Sequence, residues 1–130
     1  MRLKFVVKSD PVLKDLAGAH KRFITRAKIV MGRNAGITKK TVELTAPRDT
    51  NFMAEHVEID RFDDGLGYEV GWHAEVFIAE SVSHEFYPPH VEEGTEWTPA
   101  QPSLGPAHER QTPVVIRGVR RIMEDMAEGK

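Results

Sequence analysis

The sequence predicts an α+β fold: a long N-terminal helix packed on a small antiparallel sheet, a long proline-containing loop and a C-terminal helix. Three patterns predict it. Apolar residues recur at helical spacing from Leu13 to Leu44, strict alternation runs through residues 57–76, and a second helical stripe closes the chain at 114–126. At 130 residues the chain is long enough for one domain with a single core, so residues 1–130 are read as one unit.

In order, Leu3, Phe5 and Val7 alternate with Arg2, Lys4 and Lys8, the pattern of a short half-buried strand. Ser9-Asp10-Pro11 then supplies a helix start with proline in the first turn. Leu13, Leu16, His20, Phe23, Ile24, Ala27 and Val30 form one helical stripe, which Val42 and Leu44 continue up to Pro47. As one helix, residues 11–45 would be about 52 Å long, whereas a compact globule of this size is only about 36 Å across. The helix must therefore project from the body or break, and Gly32 to Gly36 is the place for a break.

Val57 and Ile59 alternate with charged residues, Asp63-Asp64-Gly65-Leu66-Gly67 has turn composition, and Tyr68, Val70, Trp72, Ala74 and Val76 occupy alternate positions after it. That predicts an antiparallel hairpin over about 55–77 with one apolar face. Residues 79–106 show no sustained period and hold five of the eight prolines, so they are expected to be a long loop, too poor in apolar anchors to order itself in a lone subunit. Thr112-Pro113 reads as an N-cap and first-turn pair, with Val114, Val115, Val119, Ile122, Met123 and Met126 marking a helix over about 113–127.

The absence of cysteine removes disulfides, thiolate metal sites and cysteine nucleophiles. No apolar run is long enough to span a bilayer, and no signal-peptide core follows Met1-Arg2-Leu3-Lys4, so a chain made in the cytoplasm is expected, leaving it only as part of a larger particle. His84-Glu85 and His90 lack the spacing that sets two imidazoles on one helical face above zinc. His73 falls on the polar side of its strand, and Asp60, Asp63 and Asp64 read as turn residues rather than calcium ligands. Glu92 and Glu93 are adjacent and point apart, which is not the geometry of an acid/base pair. Gly32-x-x-x-Gly36 is too short for a phosphate loop. The expectation is no catalytic constellation, no metal, no cofactor and no enzyme.

The net charge of −2 conceals a strong segregation. Residues 1–61 carry a net +6, residues 62–109 carry −10 without one Lys or Arg, and residues 110–130 carry +2. Such runs are most simply solvated faces; the functional reading is a basic surface of one copy meeting an acidic surface of the next. Basic residues of the first helix (Lys14, Lys21, Arg22, Arg26, Lys28, Arg33, Lys39, Lys40) could touch phosphates. They are spread around the helix, and an isoelectric point of about 6.3 is low for a dedicated nucleic-acid binder.

Three segments carry a resemblance. Ala46-Pro47-Arg48-Asp49-Thr50 follows the long helix; Tyr87-Pro88-Pro89-His90-Val91-Glu92-Glu93-Gly94-Thr95 follows the hairpin; Pro99-Ala100-Gln101-Pro102-Ser103-Leu104-Gly105-Pro106-Ala107 leads into the last helix. In this order and spacing they resemble the phage neck and tail-completion family named after gene product ten of the Hong Kong lambdoid phage ninety-seven, over residues 12 to 127. Asn51 stands where that family favours glycine, and asparagine is the next residue most willing to adopt a left-handed backbone. Glu93 and Ser103 replace positions usually aromatic, and Phe77 to Phe86 is longer than usual.

The resemblance implies a structural subunit of the bacteriophage head–tail interface, assembling with itself into a ring, commonly of six. Neighbouring connector or stopper and tail-tube proteins would contact the ring, and DNA would pass through its lumen without sequence-specific binding. It implies a virion location, no cofactor and no membrane partner. The expected interface residues are Pro47, Asp49, Thr50, Phe86, Tyr87, Val91, Glu92, Gly94, Thr95, Trp97, Pro102, Leu104 and Pro106. Within the long loop, Phe86, Tyr87, Val91, Trp97 and Leu104 are expected to be buried between neighbours of the ring. The alternative from another class is a bacterial toxin or stress-associated binding module unrelated to virions.

Overall fold

The computed structural model describes residues 10–48 and 51–130, with side chains from residue 18 onward. The chain runs α1 (Asp10–Thr45), α2 (Phe52–Glu55), β1 (Glu58–Phe62), a 3-10 turn (Asp63–Gly65), β2 (Gly67–Gly71), α3 (Ala74–Glu80), α4 (Pro88–Glu93) and α5 (Leu104–Ala127). The fold is α+β, with the long helix, the antiparallel pair and the closing helix in the expected order. The strand expected at Leu3–Val7 lies outside the described residues, as do Asp49 and Thr50.

Of the two fates open to the first helix, breakage does not occur. α1 is continuous for 36 residues, about 54 Å at 1.5 Å per residue. Gly32 is not a hinge but a point of close approach: a Cβ there would lie 3.2 Å from the Tyr68 hydroxyl oxygen of β2. Gly118 plays the same part from the α5 side, where a Cβ would come within 2.9 Å of Val30 Cγ1. A glycine inside a helix costs about 1 kcal/mol relative to alanine. Packing of β2 and α5 along α1 offsets that cost, because tertiary burial rather than propensity sustains most helices. Gly36 has open space beside it, and nothing in the structure explains its being glycine.

The hairpin is shorter than the alternation suggests. β1 pairs with β2 in register Glu58↔Gly71 through Phe62↔Gly67, so the ladder stops at Gly71. Trp72 then donates its indole N–H to the Met53 carbonyl at 3.0 Å, and residues from Ala74 onward are helical. Alternation at Ala74 and Val76 is real, but Ala74, Phe77 and Ser81 also repeat at helical spacing, and alanine and glutamate favour the helix. Once β1 has no more partners to offer, the helix wins and Phe77 becomes fully buried. The turn itself is left-handed at Asp63 (φ 49°), Asp64 (φ 53°) and Gly65 (φ 94°). Asp64 is anchored to α1 by Lys28 Nζ at 2.9 Å.

Residues 79–106 are likewise not one structureless loop. They hold the end of α3, all of α4 and the start of α5. The last helix begins at Leu104, eight residues before the Thr112-Pro113 pair, which lies inside it. Thr112 behaves as an interior residue, its hydroxyl donating back to the His108 carbonyl at 2.9 Å. Two apolar clusters hold these parts together. Ala46, Met53, Ala54 and Phe77 form one, joined by Phe52, Trp72, Phe86, Tyr87 and Val91. Val42, Val57 and Ala107 form the other, joined by Val70, Trp72 and Leu104, so Trp72 belongs to both.

Candidate assembly site

Two of the three resembling segments are joined by one carboxylate. Pro88 and Pro89 start α4, proline being preset for a first helical turn. The helix ends at Gly94 (φ 79°), whose N–H bonds the His90 carbonyl at 2.8 Å. Glycine is required twice over at Gly94: the φ is left-handed, and a Cβ would sit 2.7 Å from Ala100 N. Thr95 then closes a turn, its N–H donating to the Thr98 carbonyl at 2.8 Å and its Oγ1 accepting from Trp97 N at 3.2 Å and Thr98 N at 3.0 Å. Gln101 N returns the chain to α4 by donating to the Val91 carbonyl at 2.8 Å.

The path delivers the first turn of α5 to Glu92. Its Oε1 accepts from Ser103 N at 2.7 Å, Ser103 Oγ at 2.8 Å and Leu104 N at 2.8 Å, and its Oε2 from Gly105 N at 3.4 Å. The opening N–H groups of a helix have no intrahelical acceptor, and a carboxylate there also meets the positive end of the helix dipole. Partial burial tends to raise the Glu92 carboxyl, but the hydrogen bonds from Leu104, Ser103 and Gly105 outweigh it and hold the group below its ordinary value. This cap explains why α5 starts at Leu104 rather than at Thr112. It also gives Ser103 a structural role: the residue is buried and bonded through both N–H and hydroxyl.

The expected interface residues divide into separate groups. Phe86 and Tyr87 pack edge-on against Phe77 at centroid distances of 5.6 and 5.1 Å, and Val91 joins the same cluster. Leu104 packs beside Val42, Val57 and Ala107. These four therefore find burial within their own chain rather than needing a neighbour. Trp97 is 87% exposed. Pro47 follows buried Ala46, next to the Phe77 cluster but away from the Glu92 cap in sequence. Asn51 is left-handed at φ 61°, a conformation that asparagine tolerates.

Pro102, Leu104 and Pro106 line an open groove of about 910 Å³, with Met31 and Asn34 of α1, Tyr68 and Val70 of β2, and Gln111 of α5. Sequence reasoning missed its polar floor. Asn34 and Thr38 are buried and donate to carbonyls one turn back, Asn34 Nδ2 to Val30 O at 2.8 Å and Thr38 Oγ1 to Asn34 O at 2.9 Å. Their spacing of four within an apolar stripe was the signal. Asn34 Oδ1 and Gln111 Oε1 are buried and have no hydrogen-bond partner among the described residues. The groove thus offers apolar walls over a buried polar floor, which suits a partner that brings apolar side chains.

Elsewhere, His73 Nε2 lies 2.6 Å from Asp60 Oδ2. Asp60 is a strand residue rather than a turn residue, and its hydrogen bond raises His73 above its ordinary value. His84 (φ 55°) bonds the Ile78 carbonyl through Nδ1 at 3.0 Å. Among the described residues no group of three or more His, Cys, Asp or Glu is placed to hold a metal ion. No helix among them is long and apolar enough to cross a membrane. Comparison with family models, curated proteins and solved structures found no match.

Proposed function

We propose that this chain is a structural subunit of a ring at the head–tail interface of a long-tailed bacteriophage, through which DNA passes during ejection. The observation that carries the reading is the Glu92 cap. The Val91-Glu92-x-Gly94-Thr95 and Pro102-to-Pro106 segments, which bear much of the resemblance, are one hydrogen-bonded unit. Their spacing therefore has a folding reason. Gly94 is fixed by crowding and φ, and Glu92 satisfies the Ser103 hydroxyl and the N–H groups of Ser103, Leu104 and Gly105. The charge segregation supports the same reading: residues 62–109, with ten carboxylates and no Lys or Arg, partly face the lumen and keep DNA phosphates from sticking.

The test is assembly. The purified protein, alone and mixed with the connector and major tail proteins encoded beside its gene, is weighed by light scattering and imaged by electron microscopy. Rings, commonly of six, that bind either partner are expected. A chain that stays monomeric and binds neither sinks the proposal. So does metal-dependent hydrolysis that disappears on His84→Ala or His90→Ala.

A further inference from the structure

Two faces without a partner among the described residues are complementary to each other. The first is the outer side of α1. Ile29, Arg33, Ile37, Lys40 and Leu44 fall within about 80° of helical arc, on the side away from buried Ala27, Asn34 and Thr38. Ile29 is 56% exposed, Ile37 41% and Leu44 66%. Arg33 and Lys40 are exposed and make no ion pair among the described residues. Among the described side chains of α1 the one carboxylate, Glu43, is held by Lys39 at 3.5 Å. The face is therefore apolar and basic.

The second face is the groove over Asn34 and Gln111 together with the outer stripe of α5. They are continuous, because Val115 and Ile116 line both the groove and a shallower apolar depression reaching Met123. Ile116 is 52% and Met123 59% exposed. Glu93 and Glu109 stand on the groove beside His108, and Glu124 stands on the stripe beside Arg120. None of the three glutamates has an ion-pair partner among the described residues. The groove is apolar and acidic at its edge.

We infer that the Ile29–Leu44 face of α1 in one copy docks on the groove and α5 stripe of a second copy, head to tail. This deepens the ring-subunit reading and rests on it. Charge selects the arrangement. Pairing α1 faces would set Arg33 and Lys40 against their own kind, and pairing grooves would do the same with Glu93 and Glu109. Only the mixed pairing brings apolar to apolar and cation to carboxylate together, setting Arg33 and Lys40 against the glutamates at the groove edge. Because the two faces lie on different sides of α1, each copy uses both at once. Such heterologous contacts close into a ring or run on as a filament.

The experiment uses two variants whose changed side chains are all exposed in the single chain, so folding is preserved: I37E/L44E on the first face and I116E/M123E on the second. Circular dichroism checks that each is folded, and sedimentation velocity reads assembly. The wild type is expected to form oligomers larger than dimers, each variant alone to remain monomeric, and their equimolar mixture to stop at a heterodimer, since it retains one intact face of each kind. K40E is expected to weaken wild-type assembly by about tenfold, a loss of about 1.4 kcal/mol, and E109K in the neighbouring copy to recover part of it. Either variant assembling like wild type, or a mixture that stays monomeric, overturns the inference. Self-assembly that obeys this pattern without binding connector or tail proteins would leave the docking intact and remove the neck reading. Neck incorporation unaffected by both variants would do the reverse.

Discussion

The cluster around Phe77 and the groove above Asn34 are both walled by α-helix and both lie against α1 or its end, yet they are built for different tasks. Phe77 is fully buried, with Phe52, Phe86 and Tyr87 meeting it edge-on at 4.9 to 5.6 Å, the geometry aromatic quadrupoles prefer. The indole N–H of Trp72, which packs on the same cluster, is satisfied by the Met53 carbonyl. The groove has apolar walls as well, but its floor holds two buried oxygens with no partner. Each such group costs about 1–3 kcal/mol of desolvation. The Trp72 N–H beside the first region is met, while the second keeps two buried acceptors without a donor among the described residues. On the docking proposed above, stability is concentrated in the first and association in the second.

The sharpest way to break that contrast is to truncate both. Phe77→Ala is expected to cost about 3–5 kcal/mol, the range for removing a large buried aromatic, and to release Phe86 and Tyr87 with it. A urea titration followed by tryptophan fluorescence reads this directly, since Trp72 packs against the same cluster. A loss below about 1 kcal/mol would mean that residues 79–93 are held by something other than Phe77.

The Glu92 cap joins the two regions and ranks second. Glu92→Ala leaves the Ser103 hydroxyl and the N–H groups of Ser103, Leu104 and Gly105 without their acceptor, and is expected to cost about 1–3 kcal/mol. Glu92→Gln, which keeps an acceptor, should cost less. The sign with pH follows from the lowered carboxyl: its contribution is present above the ordinary value of 4.5 and is lost as pH falls through the depressed folded value. The wild type should therefore lose more stability between pH 5 and 3 than Glu92→Gln does. Hydrogen exchange at Leu104 and Gly105 should quicken in both variants before the rest of α5 is affected. Equal acid sensitivity of wild type and Glu92→Gln would remove the cap from the account.

How much of this was legible in the sequence follows the range of the interactions involved. Helical spacing along α1, the turn at Asp63–Gly67 and the stripe of α5 are local patterns, and each was readable from residues within a few turns. The strand end at Gly71 and the helix start at Leu104 were not. Both are set by partners distant in sequence: β1 runs out of pairing positions, and Glu92 arrives from another helix. Gly32 misled for the same reason, since its role depends on Tyr68 across the packing interface. In the candidate site, Glu92, Gly94, Pro102 and Leu104 stood out as a motif. Ser103 and Asn34 did not, because a small polar residue reads as a surface position until its partner is seen.

Asn34→Ala sharpens the comparison from the groove side. It removes one donated hydrogen bond, worth about 0.5–1.5 kcal/mol, together with an unmet acceptor whose burial costs about as much. The stability of the single chain is therefore expected to change by less than about 1 kcal/mol. If the unmet oxygen is there for a partner, oligomer dissociation should become easier at the same time. Sedimentation equilibrium together with a urea midpoint separates the two effects, and a large loss of monomer stability would place Asn34 with Phe77 as a structural residue.

The smallest expected effect belongs to the His73–Asp60 pair, at the edge of the sheet and outside both regions. Asp60 accepts from the imidazole at 2.6 Å and raises His73 above 6.5, with slight burial opposing and Glu75 and Glu58 adding to the rise. A histidine raised by its partner contributes stability that is fully present below its unfolded value and is lost as pH rises through the folded one. Both side chains are solvent-accessible, so water and salt screen the pair and its contribution is small. A proton NMR titration of His73 should show the raised value in the wild type and a return toward 6.5 in Asp60→Asn. The difference in urea midpoint between the two should shrink as pH rises from 6 to 9, because the wild-type imidazole loses its charge over that range. The oligomeric state should be indifferent to Asp60→Asn, since neither residue belongs to the α1 face or to the groove. A change in assembly on that substitution would show that the interface reaches the sheet edge, and that Phe77 and Asn34 do not divide stability from association as cleanly as their surroundings indicate.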